Sequence, residues 1–203
     1  MIAAIIPARG GSVRIPRKNI KPFWGKPMLW RAIDTARESG LFGMVIVSTD
    51  DNEIEDVAGK AGALVVRREP DDGAKGTQEV ARDVLLLFES IQTACVIYPC
   101  VPLLDVDSLR AGLKRLDHWL AFTMSVDEHW QDAGCYYWGH RASFINRVPI
   151  HGPSTARVPL PPGRACDINT TADWARAEAM YDVLSWARTI RLCEEMQRTN
   201  DAN

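Results

Sequence analysis

Arg9, Arg14, Arg17 and Lys18 crowd one short stretch near the N-terminus. Pro7–Asn19 reads P-A-R-G-G-S-V-R-I-P-R-K-N and sets these cations around Gly10, Gly11 and Ser12. Glycines let backbone N–H groups approach an anion closely, and successive N–H groups form a concave nest. Guanidinium and ammonium groups add charge and donors that match phosphate. The spacing is neither G-x-x-x-x-G-K-[ST] nor G-x-G-x-x-G, which excludes the P-loop and the dinucleotide fingerprint. A phosphate ligand held by another loop architecture is expected. Val13 is the apolar residue set among the cations.

A second stretch, C-D-I-N-T-T-A-D-W over 166–174, bears oxygen donors. Alternation along an extended segment puts Asp167 and Asn169 on one face. Two oxygen-bearing side chains so placed suit Mg²⁺ held against a triphosphate. Helix capping by Asn169 or Thr170 is the competing reading. Three further stretches are weaker. V-S-T-D-D (47–51) offers Asp50 or Asp51 as a helix cap or a ribose contact. R-R-E-P-D-D-G-A-K-G-T (67–77) is a polar loop between strand and helix. In D-A-G-C-Y-Y-W-G (132–139), Tyr136 and Trp138 suit core packing, while Asp132 has no evident structural duty.

These residues need a scaffold, and the hydrophobic pattern supplies one. Ile2–Pro7 is an unbroken apolar run, as in a central strand covered on both faces. Leu29, Ala32, Ile33 and Ala36 recur at helical spacing within 28–39, and Gly40 follows as a C-cap. Strands are expected at 44–48, 64–66, 94–98 and 120–126, with helices at 51–62, 77–90 and 105–116. Alternation of this kind predicts right-handed βαβ units and an α/β three-layer sandwich with a mostly parallel central sheet. The candidate loops follow strand C-terminal ends, where open α/β sheets bind ligands. The stretch 132–138 reads as extended and 149–162 mostly as loop. A C-terminal helix is expected over about 170–197, with Thr170 as N-cap and Asp173 completing a capping box, fraying from Arg198. No linker or repeat interrupts the 203 residues, so one domain is expected, irregular over about 126–165.

Composition narrows the function classes. A net charge of −2 gives no global field for nucleic acid or anionic membrane. There is no 18-residue apolar run, and Met1–Pro7 does not read as a signal peptide. Five cysteines without a C-x-x-C pair argue for reduced thiols and a cytoplasmic protein. The four histidines, His118, His129, His140 and His151, fall eleven apart. Gly134, Gly139 and Pro149 break any helix there, so the spacing carries no weight.

Taken in order, the motifs resemble a known family. P-A-R-G-G-S-x-R-I-P-R-K-N-I-K-x-F-x-G-K-P-M followed by V-I-V-S-T-D-D-x-E-I is similar to the CMP-sialic acid synthetases. D-A-G-x-x-Y-W-G, a proline-rich loop and D-I-x-T-x-x-D-W resemble the pseudaminic acid cytidylyltransferase branch most closely. The resemblance implies a Rossmann-like nucleotidyltransferase, a homodimer, CTP, and Mg²⁺ or Mn²⁺. It implies transfer of CMP to the anomeric hydroxyl of a nine-carbon 2-keto sugar acid, with release of pyrophosphate. By position it implies nucleotide contacts from Ala8, Arg9, Gly10, Gly11, Ser12, Arg14, Lys18 and Asn19, and from Arg67 or Arg68 near the base. Arg9, Lys18 and Asp167 carry the catalytic expectation, Asp167 and Asn169 the metal, and Asp132 and Tyr137 the sugar. Departures accompany the match. Val13 stands where the family has lysine, Asn169 where it has aspartate, and Cys135 and Cys166 where the branch has glutamines. A segment of a couple of dozen residues is missing between Val126 and Gln131. Two alternatives follow from these departures: a chain that keeps the fold without catalysis, and a transferase with a different acceptor.

Overall fold

The computed structural model describes residues 1–70 and 75–201, with side chains through 186. Part of the expected polar loop, 71–74, thus lies outside the described residues. In chain order the strands are β1 Ile2–Pro7, β2 Pro22–Phe23, β3 Lys26–Pro27, β4 Met44–Thr49, β5 Leu64–Arg67, β6 Thr93–Ile97, β7 Phe122–Val126, β8 Asp132–His140 and β9 Thr155–Pro159. The helices are α1 Met28–Glu38, α2 Asn52–Lys60, α3 Thr77–Leu87, α4 Val106–Arg115, α5 Arg141–Ile145 and α6 Thr171–Asp201.

Seven strands form one sheet in the order β5-β4-β1-β6-β8-β7-β9. Only β8 runs against the others, pairing antiparallel with β6 and β7. The expected α/β sandwich with a mostly parallel sheet is the architecture found. β1 lies inside the sheet, between β4 and β6, because both of its faces are apolar. Ala4 and Ile6 pack with Leu29 and Ile33 of α1 and Leu109 of α4. Ala3 and Ile5 pack on the opposite face with Val84 and Leu85 of α3 and Phe144 of α5. The period-2 alternation of strand side chains thus builds three layers from one short run.

Four elements escaped the sequence. β9 falls in the stretch read as mostly loop. It is an edge strand pairing parallel with β7, and edge position is where prolines such as Pro159 are tolerated. The two-residue strands β2 and β3 and the short α5 were also not expected. α6 continues to Asp201, beyond the expected end. Its start is as predicted. Thr170 Oγ1 accepts from the Asp173 amide at 3.1 Å, and Asp173 Oδ2 accepts from the Thr170 amide at 2.8 Å.

Candidate active site

The loop after β1 is held from below before it meets any ligand. The Ala8 amide donates to the Ser48 carbonyl at 2.9 Å, and the Gly10 amide donates to Asp50 Oδ1 at 2.8 Å. A Cβ at Gly10 would fall 2.5 Å from Asp51 Oδ2, so the loop can lie this close to α2 only with glycine there. Asp51 also caps α2, accepting from the Glu53 and Ile54 amides. Asn19 is buried and donates its amide to the Arg9 carbonyl at 2.8 Å. Asn19 therefore shapes the loop.

The four loop cations divide. Arg17, at φ 55°, turns away and binds Asp51 Oδ2 at 2.5 Å and Glu53 at 2.8 Å. That pairing pulls the Asp51 carboxyl down from 3.8 to about 2, chiefly through the Arg17 hydrogen bond. The stabilisation is complete above the ordinary aspartate range and fades as the pH falls through about 2. Arg17 is thus a structural cation, which corrects its reading as a phosphate cation. Arg9, Arg14 and Lys18 instead line a cavity of about 320 Å³, together with Ser12, Val13 and Asn19. Val13 is 89% exposed on that wall.

The opposite wall comes from β5, α3 and the end of β6. Arg68, Lys75, Thr77 and Tyr98 line it. Of the two arginines named at the end of β5, Arg68 is the one that lines the cavity. Arg67 points elsewhere, pairing with Glu55 at 3.3 Å and the Asp50 carbonyl at 3.3 Å. Among the described residues, Ala8, Gly10, Gly11 and Arg67 are not part of the lining. Arg68→Ala should weaken nucleotide binding by about tenfold, whereas Arg67→Ala should stay within about twofold, since an exposed ion pair is worth little. Calorimetric titration of CTP into each variant checks this.

The floor is the segment before α6. Among the described residues, Asp167 is the acidic side chain of the lining. Burial pushes its carboxyl pKa up, while the Asn169 hydrogen bond, Lys18 and Arg14 oppose that shift. Lys18 Nζ donates to the Ile168 carbonyl and ties the loop to this segment. Gly134, at φ +59°, turns the start of β8 beneath Asp167, and a Cβ there would lie 3.2 Å from Asp167 Oδ2. Asn169 donates to Asp167 Oδ2 at 2.7 Å and accepts from Arg14 at 2.7 Å. The two side chains therefore meet as the alternation predicted.

Asp132 and Tyr137 stand beside the cavity. The Tyr137 hydroxyl donates to Asp132 Oδ2 at 2.5 Å, and His151 Nε2 lies 3.6 Å from the same oxygen. The Tyr137 ring meets Tyr98 edge-on at 5.9 Å, and the Tyr98 hydroxyl lies 3.0 Å from Thr77 Oγ1. Tyr98, Thr77, Lys75 and His151 were not singled out from sequence. Tyr98 directly follows β6, and Lys75 and Thr77 belong to the polar 67–77 stretch, both on the ligand edge, whereas no sequence signal marked His151. Among the described residues no three His, Cys, Asp or Glu side chains cluster as a closed metal site. One carboxylate facing a cationic cavity does fit a hard cation that takes its other ligands from phosphate and water.

Fold and site together define a nucleotidyltransferase: a mostly parallel sheet whose C-terminal edge carries a cationic loop, the Asp167 carboxylate and a cavity between them. The Cytidylyltransferase family model matches residues 3–123, and the chain belongs to that family. It is 31% identical to the pseudaminic acid cytidylyltransferase of Campylobacter jejuni over 221 residues, covering 88% of this chain and 95% of that one. It is 38% identical to the CMP-N,N'-diacetyllegionaminic acid synthase of Legionella pneumophila over 107 residues, covering 53% and 46% of the two chains. A CMP:2-keto-3-deoxy-manno-octonic acid synthetase complexed with CTP shares the fold with a TM-score of 0.70 at 16% identity, covering 89% and 98%.

Proposed function

We propose that this cytidylyltransferase moves CMP from CTP to the anomeric hydroxyl of a nine-carbon 2-keto sugar acid of the pseudaminic or sialic type. The observation that carries the reading is the cavity, cationic on both walls with Asp167 on its floor. The triphosphate lies against Arg9, Ser12, Arg14 and Lys18, with Arg68 facing it from across the cavity. The acceptor enters beside Asp132 and Tyr137. Its anomeric oxygen attacks the α-phosphorus in line, the bond to the bridging oxygen breaks, pyrophosphate leaves, and the hydroxyl proton passes to solvent. Such a displacement needs positioning and neutralised charge more than covalent help. Arg9, Arg14 and Lys18 supply that neutralisation, and the Lys18–Ile168 tie keeps loop and floor in one geometry. Mg²⁺ or Mn²⁺, when bound at Asp167 and the phosphates, adds Lewis-acid stabilisation. A homodimer in the cytoplasm completes the proposal. Among the described residues no helix is long and apolar enough to cross a membrane.

One observation favours a second reading of the acceptor. The alignment to the Campylobacter jejuni relative spans 221 residues, more than the 203 of this chain, so this chain lacks residues that the relative has. The β7–β8 turn is tight. Asp127 Oδ1 accepts from the His129 and Gln131 amides, each at 2.9 Å. A turn without a covering segment leaves the Asp132 side open to a smaller or differently shaped acid. Pyrophosphate release with CTP, a divalent cation and a panel of 2-keto sugar acids is the test. Release with a nine-carbon acid is the expected result. Release only with shorter acids would favour the second reading. CTP binding with no release from any acid would sink both.

A further inference from the structure

We propose that Asn169 is a positioning residue for Asp167 and Arg14, and not a metal ligand, so that among the described residues Asp167 is the carboxylate offered to a nucleotide-bound cation. The inference rests on the transfer reading above for the identity of the nucleotide. It departs from the expectation that Asn169 shares the metal with Asp167.

The two hydrogen bonds of the Asn169 amide fix its orientation. Arg14 has only donors to offer, and it points one at Asn169 Oδ1 at 2.7 Å. Ionised Asp167 has only acceptors, and its Oδ2 receives Asn169 Nδ2 at 2.7 Å. Turning the amide over would set oxygen against carboxylate and NH2 against guanidinium. Two favourable contacts would become two repulsive ones, so the network assigns oxygen and nitrogen unambiguously. The backbone is held too, because the Asn169 amide N–H donates to Asp173 Oδ2 at 3.0 Å. The group Asn169 presents to Asp167 is therefore an N–H donor. A cation shared with Asp167 would need the amide oxygen on the Asp167 side, and that oxygen is turned to Arg14 instead.

Asp173 does not replace it. Its Oδ2 accepts from the Asn169 and Thr170 amides and the Thr170 hydroxyl, and its Oδ1 accepts from Arg176. With one carboxylate at this site among the described residues, most of the cation's ligands come from phosphate oxygens and water, an arrangement Mg²⁺ accepts. Metal and nucleotide should then bind together, each weak alone. Asn169 gains a different duty. It holds one Asp167 oxygen in place and anchors Arg14 to the same segment, so a cation-binding group and a phosphate-binding group are aimed by one side chain.

Mn²⁺ titration followed by electron paramagnetic resonance, with and without CTP and with no acceptor, tests this. Wild type should bind Mn²⁺ at least about a hundredfold more weakly without CTP than with it. Asn169→Asp should tighten nucleotide-free Mn²⁺ binding by about tenfold or more, because it supplies a second carboxylate next to Asp167. Asn169→Ala should change the weak nucleotide-free Mn²⁺ binding by no more than about threefold but should weaken Mn²⁺ binding in the presence of CTP by about tenfold, because Asp167 and Arg14 lose their shared anchor. Tight nucleotide-free binding in wild type that is lost in Asn169→Ala would overturn the proposal, as would no gain in Asn169→Asp. No Mn²⁺ binding even with CTP would overturn both this inference and the transfer reading. Mn²⁺–CTP binding as described without pyrophosphate release would support this inference and count against the transfer reading alone.

Discussion

Asp167→Asn should lower pyrophosphate release by roughly 10²–10³-fold while leaving the fold as stable as wild type or slightly more so. The two halves have one cause. Asp167 is a carboxylate held in a largely buried position, and burial pushes its pKa up. Keeping it ionised at neutral pH therefore costs stability, and the isosteric amide removes that cost. The Asn169 contact survives, because the new Oδ1 can still accept from Nδ2. What disappears is the anion that holds a cation against the phosphates. Binding should separate the roles further. In wild type, added Mg²⁺ should tighten CTP. In Asp167→Asn, metal-free CTP should bind at least as well as in wild type, because one negative charge facing the triphosphate is gone, and added Mg²⁺ should bring no gain. Calorimetry in the two conditions, with a thermal melt of each protein, reads all of this. A variant that melts well below wild type, or that still responds to Mg²⁺, would show that Asp167 has a structural role instead.

The layers of the fold were legible because they are built from residues buried on both sides. β1 and β4 pair side by side with Ile5, Ile6, Ile46 and Val47 fully buried, and such runs leave few alternatives. The amphipathic helices announced themselves through one apolar stripe each, as with Ala32, Ile33 and Ala36. β9 did not. As an edge strand it pairs on one side only, and its residues Thr155, Ala156 and Arg157 show no apolar alternation. Its stability comes from β7, more than 25 residues away in the chain, which local pattern cannot report.

The chemistry of the site was legible in kind but not in direction. Residue types in the first loop announced phosphate. They could not say that Arg17 would turn to Asp51 and Glu53, since that depends on the positive φ at Arg17 and on where α2 starts. The same limit applied to Arg67 and Arg68. Only period-2 alternation separates neighbours at a strand end, and β5 shows none, its four residues being exposed or partly so. At Asn169 the sequence revealed an oxygen-bearing side chain but not which end faces Asp167. That follows from Arg14, 155 positions away. Family resemblance placed the residues together, and only the hydrogen bonds assign their duties.

Lys18→Ala should be the most damaging change in the cationic loop, with CTP affinity falling roughly 10- to 100-fold. Lys18 does two things from one position. It lines the cavity with Arg9 and Arg14, and it donates to the Ile168 carbonyl beside Asp167. A hydrogen bond to a charged group is worth about 1.5–3 kcal/mol, which sets the range. Truncation should also uncouple the loop from the floor, so turnover with saturating CTP should fall as well. Arg17→Ala is the contrast. Its partners are Asp51 and Glu53, so it should lower the melting temperature and leave CTP affinity within about threefold. Salt separates the two further. CTP binding should depend less on ionic strength in Lys18→Ala than in wild type, because one cation facing the phosphates is lost, while Arg17→Ala should keep the wild-type dependence. Equal losses of CTP affinity in both variants would mean that the loop acts as a general cationic patch, and the division of its cations drawn from their partners would fail.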